Sequence, residues 1–366
     1  TEPQTGGDML SASRSTRLTA AFIVMVVAAA AMPASVSAGR VPDDWGWAVI
    51  RSPGKAWYEV TGKNRAVSTG GKVTVKRLAK GYHRVKFKGI VTATPHVQVT
   101  PLSTAGDMCS WNGLGVSGKP LEVYVNCRNR RGMPSDVRFV VNFIEAHAGG
   151  APALAYAFAQ DPMRAEYDAH PVYTYTWNGT DGPVKRLGVG KYRVRLVGMG
   201  SIKGNIHVTP YNSRKARICR PVKWTNDSGH LDIVVRCRNH KGQAADTKFN
   251  LLFTADNGLK GNRGPDWFYL YANKPKTQAY RPTFDYSSWS GFSKSWVKRE
   301  ARGRYTVRLP TMPLGGAVQV TAVDDWKHCH ASSVRLSGLP QRIEVRCFKA
   351  SGKEPADAKF MLSYVK

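Results

Sequence analysis

The chain has 366 residues, of which 42% are hydrophobic and 10% aromatic, and it carries a formal net charge of +29. This apolar and aromatic content excludes a disordered polycation and is sufficient for several separate cores. Lys and Arg outnumber Asp and Glu along the whole chain, so the charge is not confined to one tail. Such a charge favours an anionic partner, and the alternative is an adaptation of solubility or habitat without a specific partner.

The first segment, Met9–Ala38, is predicted to be a secretory signal peptide. Arg14 and Arg17 supply its positive region, an apolar stretch follows at 18–32, and residues 36–38 are small, as cleavage requires. The alternative is a retained membrane anchor, but the apolar stretch is shorter than the about 20 residues that cross a bilayer. The eight residues before this segment are expected to precede the true start. We therefore expect an exported protein that has no membrane span after cleavage.

The rest of the chain repeats itself three times. Each copy contains two cysteines 18 residues apart, and equivalent cysteines recur every 110 residues. A fixed period of this size predicts three homologous modules, at 45–145, 153–255 and 266–366, hereafter repeats 1, 2 and 3. The segments between them, 146–152 and 256–265, are rich in Ala and Gly, which is typical of flexible or semi-flexible joints.

All six cysteines are used equally by the repeat, which predicts three disulfides inside the modules. Closing a loop of this length stabilises a small secreted module by about 3 kcal/mol. Metal binding is the alternative, suggested by His328-Cys329-His330. The other repeats lack this histidine pair, and the cysteine spacing fits zinc poorly. No metal and no cofactor is therefore predicted. The predicted pairs are Cys109–Cys127, Cys219–Cys237 and Cys329–Cys347.

Short runs of alternating apolar and polar residues fill each repeat and are bounded by Gly, Pro, Asn or Ser. About seven such strands in a hundred residues predict an all-β fold of three antiparallel β-sandwich modules with immunoglobulin-like architecture. Equivalent positions include an opening aromatic residue, expected in the core or at an interface, and a strand with a polar-x-Thr pattern. They are Trp47, Tyr156 and Tyr269, followed by 97–100, 206–209 and 318–321.

No motif for a nucleophile, a phosphate loop or a catalytic metal occurs in the sequence, so we predict that the protein is not an enzyme. A secreted hydrolase assembled from loop residues is the less favoured alternative. Asp136, Asp246 and Asp357 recur before the last strand, where an aspartate that accepts backbone N–H bonds explains them. Four histidines are interpreted as surface or half-buried residues: His83, His96, His207 and His240.

Basic residues alternate with inward-facing apolar residues on several strands, which predicts one basic sheet face in each repeat. Weak contacts on three linked modules would reinforce one another. The alternative is a solvated face whose cations discourage aggregation at sheet edges. Trp57 and Trp289 have no equivalent in every repeat and are candidates for exposed stacking residues. The predicted polyanion-binding residues are Lys76, Arg84, Lys86, Arg128, Lys185, Arg193, Arg195, Arg238, Lys298 and Arg308.

Several motifs recur together: an opening Trp/Tyr-Ala strand, a Gly-x-Tyr-x-Val strand, a Val-x-Val-Arg-Cys strand and Gly-x-x-x-Asp-x-x-Phe. In repeat 2 they are Tyr156-Ala157, 190–194, 233–237 and 242–249. His83 replaces the tyrosine in repeat 1, and repeat 3 has one extra residue between Gly352 and Asp357. This pattern resembles a module of secreted actinobacterial proteins of unknown function, with relatives in tail-fibre-like adhesive proteins. The resemblance covers all three repeats. It implies a secreted β-rich module and supplies no catalytic residues.

The expected function is that of a secreted, non-enzymatic binding or adhesion protein, extracellular or associated with the cell envelope. Its expected partners are an anionic polysaccharide, a wall polymer or an acidic protein surface, with extracellular nucleic acid as a further candidate. A structural or assembly protein that binds itself or another protein is the alternative.

Overall fold

A computed structural model describes residues 44–92, 94–146, 153–176, 182–211, 214–255, 267–283, 295–310, 312–323, 326–335 and 340–366. The predicted signal peptide and most of both predicted joints lie outside the described residues, as does Trp289. The described part of repeats 1 to 3 belongs to one compact unit.

The described chain is built from β-strands and contains no α-helix. It holds 26 strands, and two short 3-10 turns lie at 62–64 and 171–173. Among these residues there is no helix with the length and apolar character needed to cross a membrane.

The strands of repeat 1 are β1 (Asp44–Ile50), β2 (Trp57–Val60), β3 (Arg65–Val67), β4 (Val73–Ala79), β5 (Tyr82–Phe87), β6 (His96–Leu102), β7 (Met108–Leu114), β8 (Leu121–Arg128) and β9 (Arg138–Glu145). Those of repeat 2 are β10 (Leu154–Ala159), β11 (Glu166–Asp168), β12 (Tyr175–Thr176), β13 (Pro183–Gly188), β14 (Lys191–Leu196), β15 (Asn205–Pro210), β16 (Arg217–Asp227), β17 (His230–Asn239) and β18 (Phe249–Thr254). Those of repeat 3 are β19 (Trp267–Ala272), β20 (Ala279–Tyr280), β21 (Trp296–Ala301), β22 (Arg304–Leu309), β23 (Ala317–Val323), β24 (Lys327–Val334), β25 (Gln341–Lys349) and β26 (Lys359–Val365).

The strand order recurs in each repeat, except that the described residues of repeat 3 contain no equivalent of the short strands β3 and β12. One sheet, which we call the outer sheet, runs β2-β4-β5-β8-β7, β11-β13-β14-β17-β16 and β20-β21-β22-β25-β24 in the three repeats. The other, the inner sheet, runs β3-β1-β9-β6, β12-β10-β18-β15 and β19-β26-β23. Pairing within the sheets is antiparallel throughout, and one parallel bridge from Ala331 to Leu102 joins the outer sheet of repeat 3 to the inner sheet of repeat 1.

The two kinds of sheet differ in burial because they face different surroundings. In the outer sheet the burial alternates, so that Val85 and Val123 point into a core and the residues between them point outward. In repeat 1 this core also contains Ile50 and Phe143 of the inner sheet. Inner strands such as β10, β15 and β18 are buried at every position. An inner sheet therefore has one face on the core of its own repeat and the other face against neighbouring repeats.

Each disulfide links two adjacent strands of an outer sheet. The structure contains Cys109–Cys127, Cys219–Cys237 and Cys329–Cys347, which are the pairs expected from the repeat. The two cysteines of each pair lie directly opposite each other, with Cα atoms 4.1 Å apart. No free cysteine occurs among the residues described.

Three threonines join the repeats in a ring that we call the threonine cycle: Thr100, Thr209 and Thr321. The hydroxyl oxygen of Thr209 accepts the Val99 N–H at 3.0 Å, that of Thr321 accepts the Val208 N–H at 3.5 Å, and that of Thr100 accepts the Val320 N–H at 3.1 Å. Repeat 1 thus donates to repeat 2, repeat 2 to repeat 3, and repeat 3 to repeat 1. The cycle supplies acceptors for backbone N–H groups of β6, β15 and β23, the edge strands of the inner sheets.

The side chain two residues before each threonine completes the same contacts. Thr209 donates to Gln98 Oε1 at 2.6 Å, Thr100 donates to Gln319 Oε1, and Thr321 lies 3.0 Å from His207 Nδ1. All six of these side chains are buried. These contacts could not be predicted from the sequence of one repeat, since each side chain has its partner in another repeat.

One apolar cluster includes residues of all three repeats. Trp47, Tyr156 and Tyr269, the opening aromatic residues, lie in it and are at most 3% exposed. Burying three large aromatic residues together is a strong driving force for the repeats to associate. The predicted joints are therefore accompanied by extensive direct contacts between the repeats.

Three of the four histidines interpreted from the sequence are more buried than the surface or half-buried positions expected for them. His96 and His207 are each 1% exposed, and His83 is fully buried, whereas His240 is half-buried as expected. The Nε2 atom of His207 lies 2.7 Å from Ser363 Oγ. Burial lowers the pKa of both His96 and His207 to about 3, so these rings are neutral in the folded protein.

The threonine cycle predicts a specific loss of stability. We expect Thr209→Val to lower the free energy of unfolding by about 2–4 kcal/mol, because the Val99 N–H and the side-chain Oε1 of Gln98 are left buried without their partner. The control is Thr225→Val, at an exposed position on β16, which should change stability little. Urea unfolding of the full chain measures both, and equal effects of the two substitutions would contradict the role of the cycle.

The buried histidines predict a dependence of stability on pH. His207 has a pKa of about 3 in the folded state, and about 6.5 is expected in the unfolded state. Between these values the unfolded state binds the additional proton, so stability falls as the pH falls below about 6.5. His207→Gln, which copies the residue of repeats 1 and 3, should reduce this fall by about 1.4 kcal/mol per pH unit. Denaturant unfolding at a series of pH values measures this slope of the unfolding free energy against pH, and an unchanged slope in the variant would contradict the prediction.

Candidate functional site

The predicted basic face of repeat 1 lies on the exposed side of its outer sheet. Lys76 on β4 is opposite Arg84 on β5, and Lys86 lies two residues further along β5. Glu122 on β8 is shared by two of these cations, since its Oε1 atom lies 3.3 Å from Arg84 Nη1 and 3.2 Å from Lys86 Nζ. Lys76 is exposed and has no acidic partner within the described residues. The face therefore keeps a surplus of positive charge.

Repeat 2 follows the same plan with different acids. Asp232 on β17 lies 2.8 Å from Arg195 Nε and 3.9 Å from Arg193 Nη1. Its hydrogen bond to Arg195 is the main reason why its pKa is lowered from the usual value. Arg195 also contacts Asp227, and Lys185 Nζ lies 3.3 Å from Glu166 Oε2. Ion pairs at a surface of this kind contribute little stability, and they compensate much of the charge that this strand pattern presents.

Repeat 3 carries an aromatic residue on this face. Lys298 Nζ lies 2.9 Å from Glu300 Oε2, and the guanidinium of Arg308 lies 5.9 Å from the centre of the Trp296 ring. Arg342 on β25 is directly opposite Arg308. Trp57 on β2 of repeat 1 is 60% exposed, which leaves its ring accessible.

The predicted residues Arg128 and Arg238 have a different environment from the other eight. Arg128 Nη1 donates to the Gly132 carbonyl at 2.9 Å, and Arg238 Nη1 donates to the Gly242 carbonyl at 2.8 Å. Each arginine therefore stabilises the turn that follows its strand. Arg238 is only 5% exposed, and its guanidinium lies 3.7 Å from the centre of the Trp326 ring in repeat 3. It acts at the boundary between two repeats rather than on an open sheet face.

Sequence reasoning overlooked the acids that share the basic faces. Glu122 and Asp232 point to the same side as the arginines because they lie opposite them on the next strand. Each strand read alone shows alternating cations. Glu122 and Asp232 occupy the same position before the second cysteine of their repeats. This recurring outward acid could have suggested that β5 pairs with β8 and β14 with β17.

A further group of cations, absent from the sequence prediction, lines a cleft between repeats 2 and 3. This space of about 610 Å³, the junction cleft, has Trp326 on its wall. Trp326 is 59% exposed. The cations come from separate turns and strand ends, so no single segment of sequence displays them together. They are Lys241, Lys276, Arg302, Lys327 and Lys349.

The recurring aspartates form the same cluster in each repeat. Asp246 accepts hydrogen bonds from Gly190 N at 2.8 Å, from Tyr192 Oη at 2.8 Å and from Arg186 Nη2 at 2.9 Å. Burial raises the pKa of Asp246, but these hydrogen bonds outweigh it, so the pKa lies below its usual value. The expectation that an aspartate accepts backbone N–H bonds therefore holds, although the donor glycine lies 56 residues earlier in the chain.

The other two clusters repeat these contacts. Asp357 accepts from Gly303 N at 2.9 Å and from Arg299, and Asp136 accepts from Gly81 N at 2.8 Å and from Arg77. In repeat 1, His83 takes the place of the tyrosine, and its Nε2 atom lies 2.8 Å from the Pro53 carbonyl. Each aspartate accepts hydrogen bonds from a glycine N–H and an arginine of its own repeat, which supports a structural role.

The glycines of these clusters have a conformational reason to be glycine. Gly190 has a φ of +61°, and a Cβ atom there would lie 2.5 Å from the Cys237 carbonyl oxygen. Any side chain would thus collide with the backbone at the disulfide. The aspartate, the glycine and the disulfide form one local structural unit.

The histidines beside Cys329 face a small cavity between the repeats. This cavity of about 50 Å³ is lined by the first cysteine of each pair, Cys109, Cys219 and Cys329, together with His328 and His330. Cys329 is bonded to Cys347 and so offers no thiolate. His330 Nε2 lies 3.1 Å from the Ser103 carbonyl oxygen, and burial lowers the pKa of His330 to about 4. No group of three or more His, Cys, Asp or Glu residues arranged to hold a metal occurs in the described part of the chain.

Comparison of the chain with protein-family models, with curated proteins and with solved structures finds no match. The chemistry of the surfaces is therefore the basis for the functional inference.

The aspartate cluster predicts a structural rather than a chemical defect on substitution. Asp246→Ala should lower the free energy of unfolding by about 2–4 kcal/mol, because Gly190 N–H, Tyr192 Oη and Arg186 lose their common acceptor. Since the folded-state pKa is lowered, this contribution is present above about pH 4 and is lost below it. The control is Asp227→Ala, whose side chain is 53% exposed and should cost less than about 1 kcal/mol. Thermal unfolding at pH 7 and pH 3 distinguishes the two, and a neutral Asp246→Ala would refute this role.

Proposed function

We propose that the protein is a secreted, non-enzymatic binding protein whose basic surfaces engage an anionic polymer or an anionic cell-envelope surface. The observation that carries the proposal is the net charge of +29 combined with outer sheets on which one acid serves two cations. On β4 and β5 of repeat 1 the cations therefore outnumber the acid that they share, Glu122, whereas the ion pairs of repeat 2 compensate more of its charge. A surface of this kind raises the local concentration of polyanions and accelerates their association.

We propose further that each repeat is an antiparallel β-sandwich of immunoglobulin-like architecture. Two observations support this: the strand order recurs in the three repeats, and the two sheets of repeat 1 contribute to one core, as do those of repeat 2. Three disulfides are compatible with an oxidising, extracellular location. The resemblance to secreted repeat modules agrees with this proposal and remains a prediction.

Packing of the repeats affects how such a surface would bind. Flexibly joined modules lose orientational freedom when they bind one polymer together. Repeats already held by the threonine cycle and by the buried aromatic cluster have lost that freedom on folding. A long polyanion that contacts several repeats would therefore bind a largely preorganised surface.

The proposal predicts binding to a model polyanion with a steep salt dependence. The affinity of the full chain for heparin should fall at least about 100-fold between 50 and 200 mM salt, because several ionic contacts release counterions. Uncharged dextran is the control ligand and should not bind. Isothermal calorimetry over this salt range provides the measurement. An affinity for heparin that is independent of salt would overturn the electrostatic proposal. Salt-independent self-association in sedimentation would favour an assembly role instead.

Matched variants locate the binding on the outer sheets. Lys76, Lys185 and Lys298 occupy equivalent strand positions, and changing all three to Glu should flatten the salt dependence by about one contact for each lysine that touches the polymer. The control makes the same change in net charge at Lys55, Lys80 and Lys119, which lie outside the strands. Equal weakening by both variants would contradict a role for the sheet faces.

A further inference from the structure

We propose that the junction cleft is a saccharide-binding site, in which Trp326 stacks on a sugar ring of an anionic polysaccharide and the surrounding cations contact its carboxylate or sulfate groups. This inference rests on the proposed function and assigns its ligand class and its principal contact site. The cleft volume of about 610 Å³ falls within the range of about 300–1,000 Å³ that is usual for ligand sites.

Trp326 is held as a stacking surface by the neighbouring repeat. The guanidinium of Arg238 lies 3.7 Å from the centre of the indole ring, and its Nη1 atom is fixed by the Gly242 carbonyl at 2.8 Å. One face of the ring is thus covered by a buried cation, yet the residue remains 59% exposed toward the cleft. An indole face carries partial negative charge and attracts the weakly positive C–H groups of a sugar ring.

Three of the cations around the ring are exposed and form no salt bridge within the described residues: Lys241, Lys276 and Arg302. Arg302 still lies near Glu354 and helps to lower the pKa of that carboxyl. Lys349 is engaged by Glu354, at 2.6 Å. Asp357, the acid on the cleft wall, already accepts from Arg299, Gly303 and Tyr305.

The acids next to Trp326 in the sequence are Asp324 and Asp325, which lie outside the described residues. The described wall of the cleft is therefore strongly positive beside one aromatic platform.

The three junctions share one plan but differ at this residue, which supports a specialised site. Trp326 lies three positions before the first cysteine of its repeat, where the other repeats have Gly106 and Ala216. A Cβ atom on Gly106 would lie 2.1 Å from the Gly352 carbonyl oxygen, so that junction has no room for a side chain. Since Gly or Ala at this position is sufficient for the repeats to pack at the other two junctions, packing alone does not explain a large and mostly exposed aromatic residue here.

The composition of the cleft favours a polysaccharide over a nucleic acid. Sites for single-stranded nucleic acid usually place several aromatic residues in series, and they favour arginine, which pairs with phosphate through two hydrogen bonds. The cleft offers one exposed aromatic ring, and four of its five lining cations are lysines. This arrangement fits one stacked ring that carries charged groups on its periphery.

The test compares four probes on the full chain by isothermal calorimetry: a defined oligogalacturonate, a heparin oligosaccharide, inorganic polyphosphate and oligodeoxythymidylate. Trp326→Ala should weaken binding of the two saccharides about tenfold and leave polyphosphate, which has no ring, within about twofold. Trp326→Phe, which keeps an aromatic face, should recover part of the loss. The matched control is Met163→Ala, which removes a large apolar side chain, 72% exposed, from a turn of repeat 2 outside the cleft.

A second variant does not depend on the packing of Trp326. Changing Lys241, Lys276 and Arg302 to Ala alters only exposed side chains and should weaken all four probes and reduce their salt dependence. Undiminished saccharide binding by Trp326→Ala, in a protein that still binds polyanions, would overturn this inference and leave the proposed function intact. Failure of every probe to bind the unmodified chain would overturn the proposed function itself. A larger loss for oligodeoxythymidylate than for the saccharides would assign the cleft to nucleic acid instead.

Discussion

The structure depends on how the edges of three inner sheets are covered. Strands β6, β15 and β23 each end an inner sheet and are buried, so their outward N–H groups need acceptors that water cannot supply. A threonine hydroxyl from the next repeat accepts one N–H of each strand, and the three contacts form a closed ring. An open row of modules would leave one edge uncovered at each end. The three repeats complete the ring, so each of them both donates to one neighbour and accepts from the other.

Burial of the inner sheets leaves the outer sheets and the turns to meet the solvent. The outer sheets place apolar residues inward and charged residues outward, and cross-strand acids temper the repulsion between their cations. Turns have no such partner strand beside them. The positive charge of cations on turns, such as Lys241, Lys276 and Arg302, is therefore less compensated by neighbouring acids than that of cations in the sheets.

Local signals were sufficient to predict much of the fold within a repeat. The alternating runs predicted strands, and the even spacing of the cysteines predicted the pairs that link β7 to β8 and their equivalents. The contacts between repeats gave no local signal, because Thr209 and its partner Val99 are 110 residues apart. His207 has no shared partner that the sequence displays, and it was therefore interpreted as a surface or half-buried residue, whereas it is buried among hydroxyl groups.

The same limitation explains why the junction cleft was missed and why it matters. Arg238 lies at a position that the alternating pattern of its strand predicts to be exposed. In the structure, Trp326 of repeat 3 covers it, so this residue of a predicted basic face supports an aromatic ring. The turn at Gly242 packs beside Ala350, as the turn at Gly132 packs beside His240 and that at Gly352 beside Gly106. Three similar contacts therefore permit one junction to diverge while the other two maintain the ring. A closed ring of repeats can acquire a ligand site in this way without altering the core of any repeat.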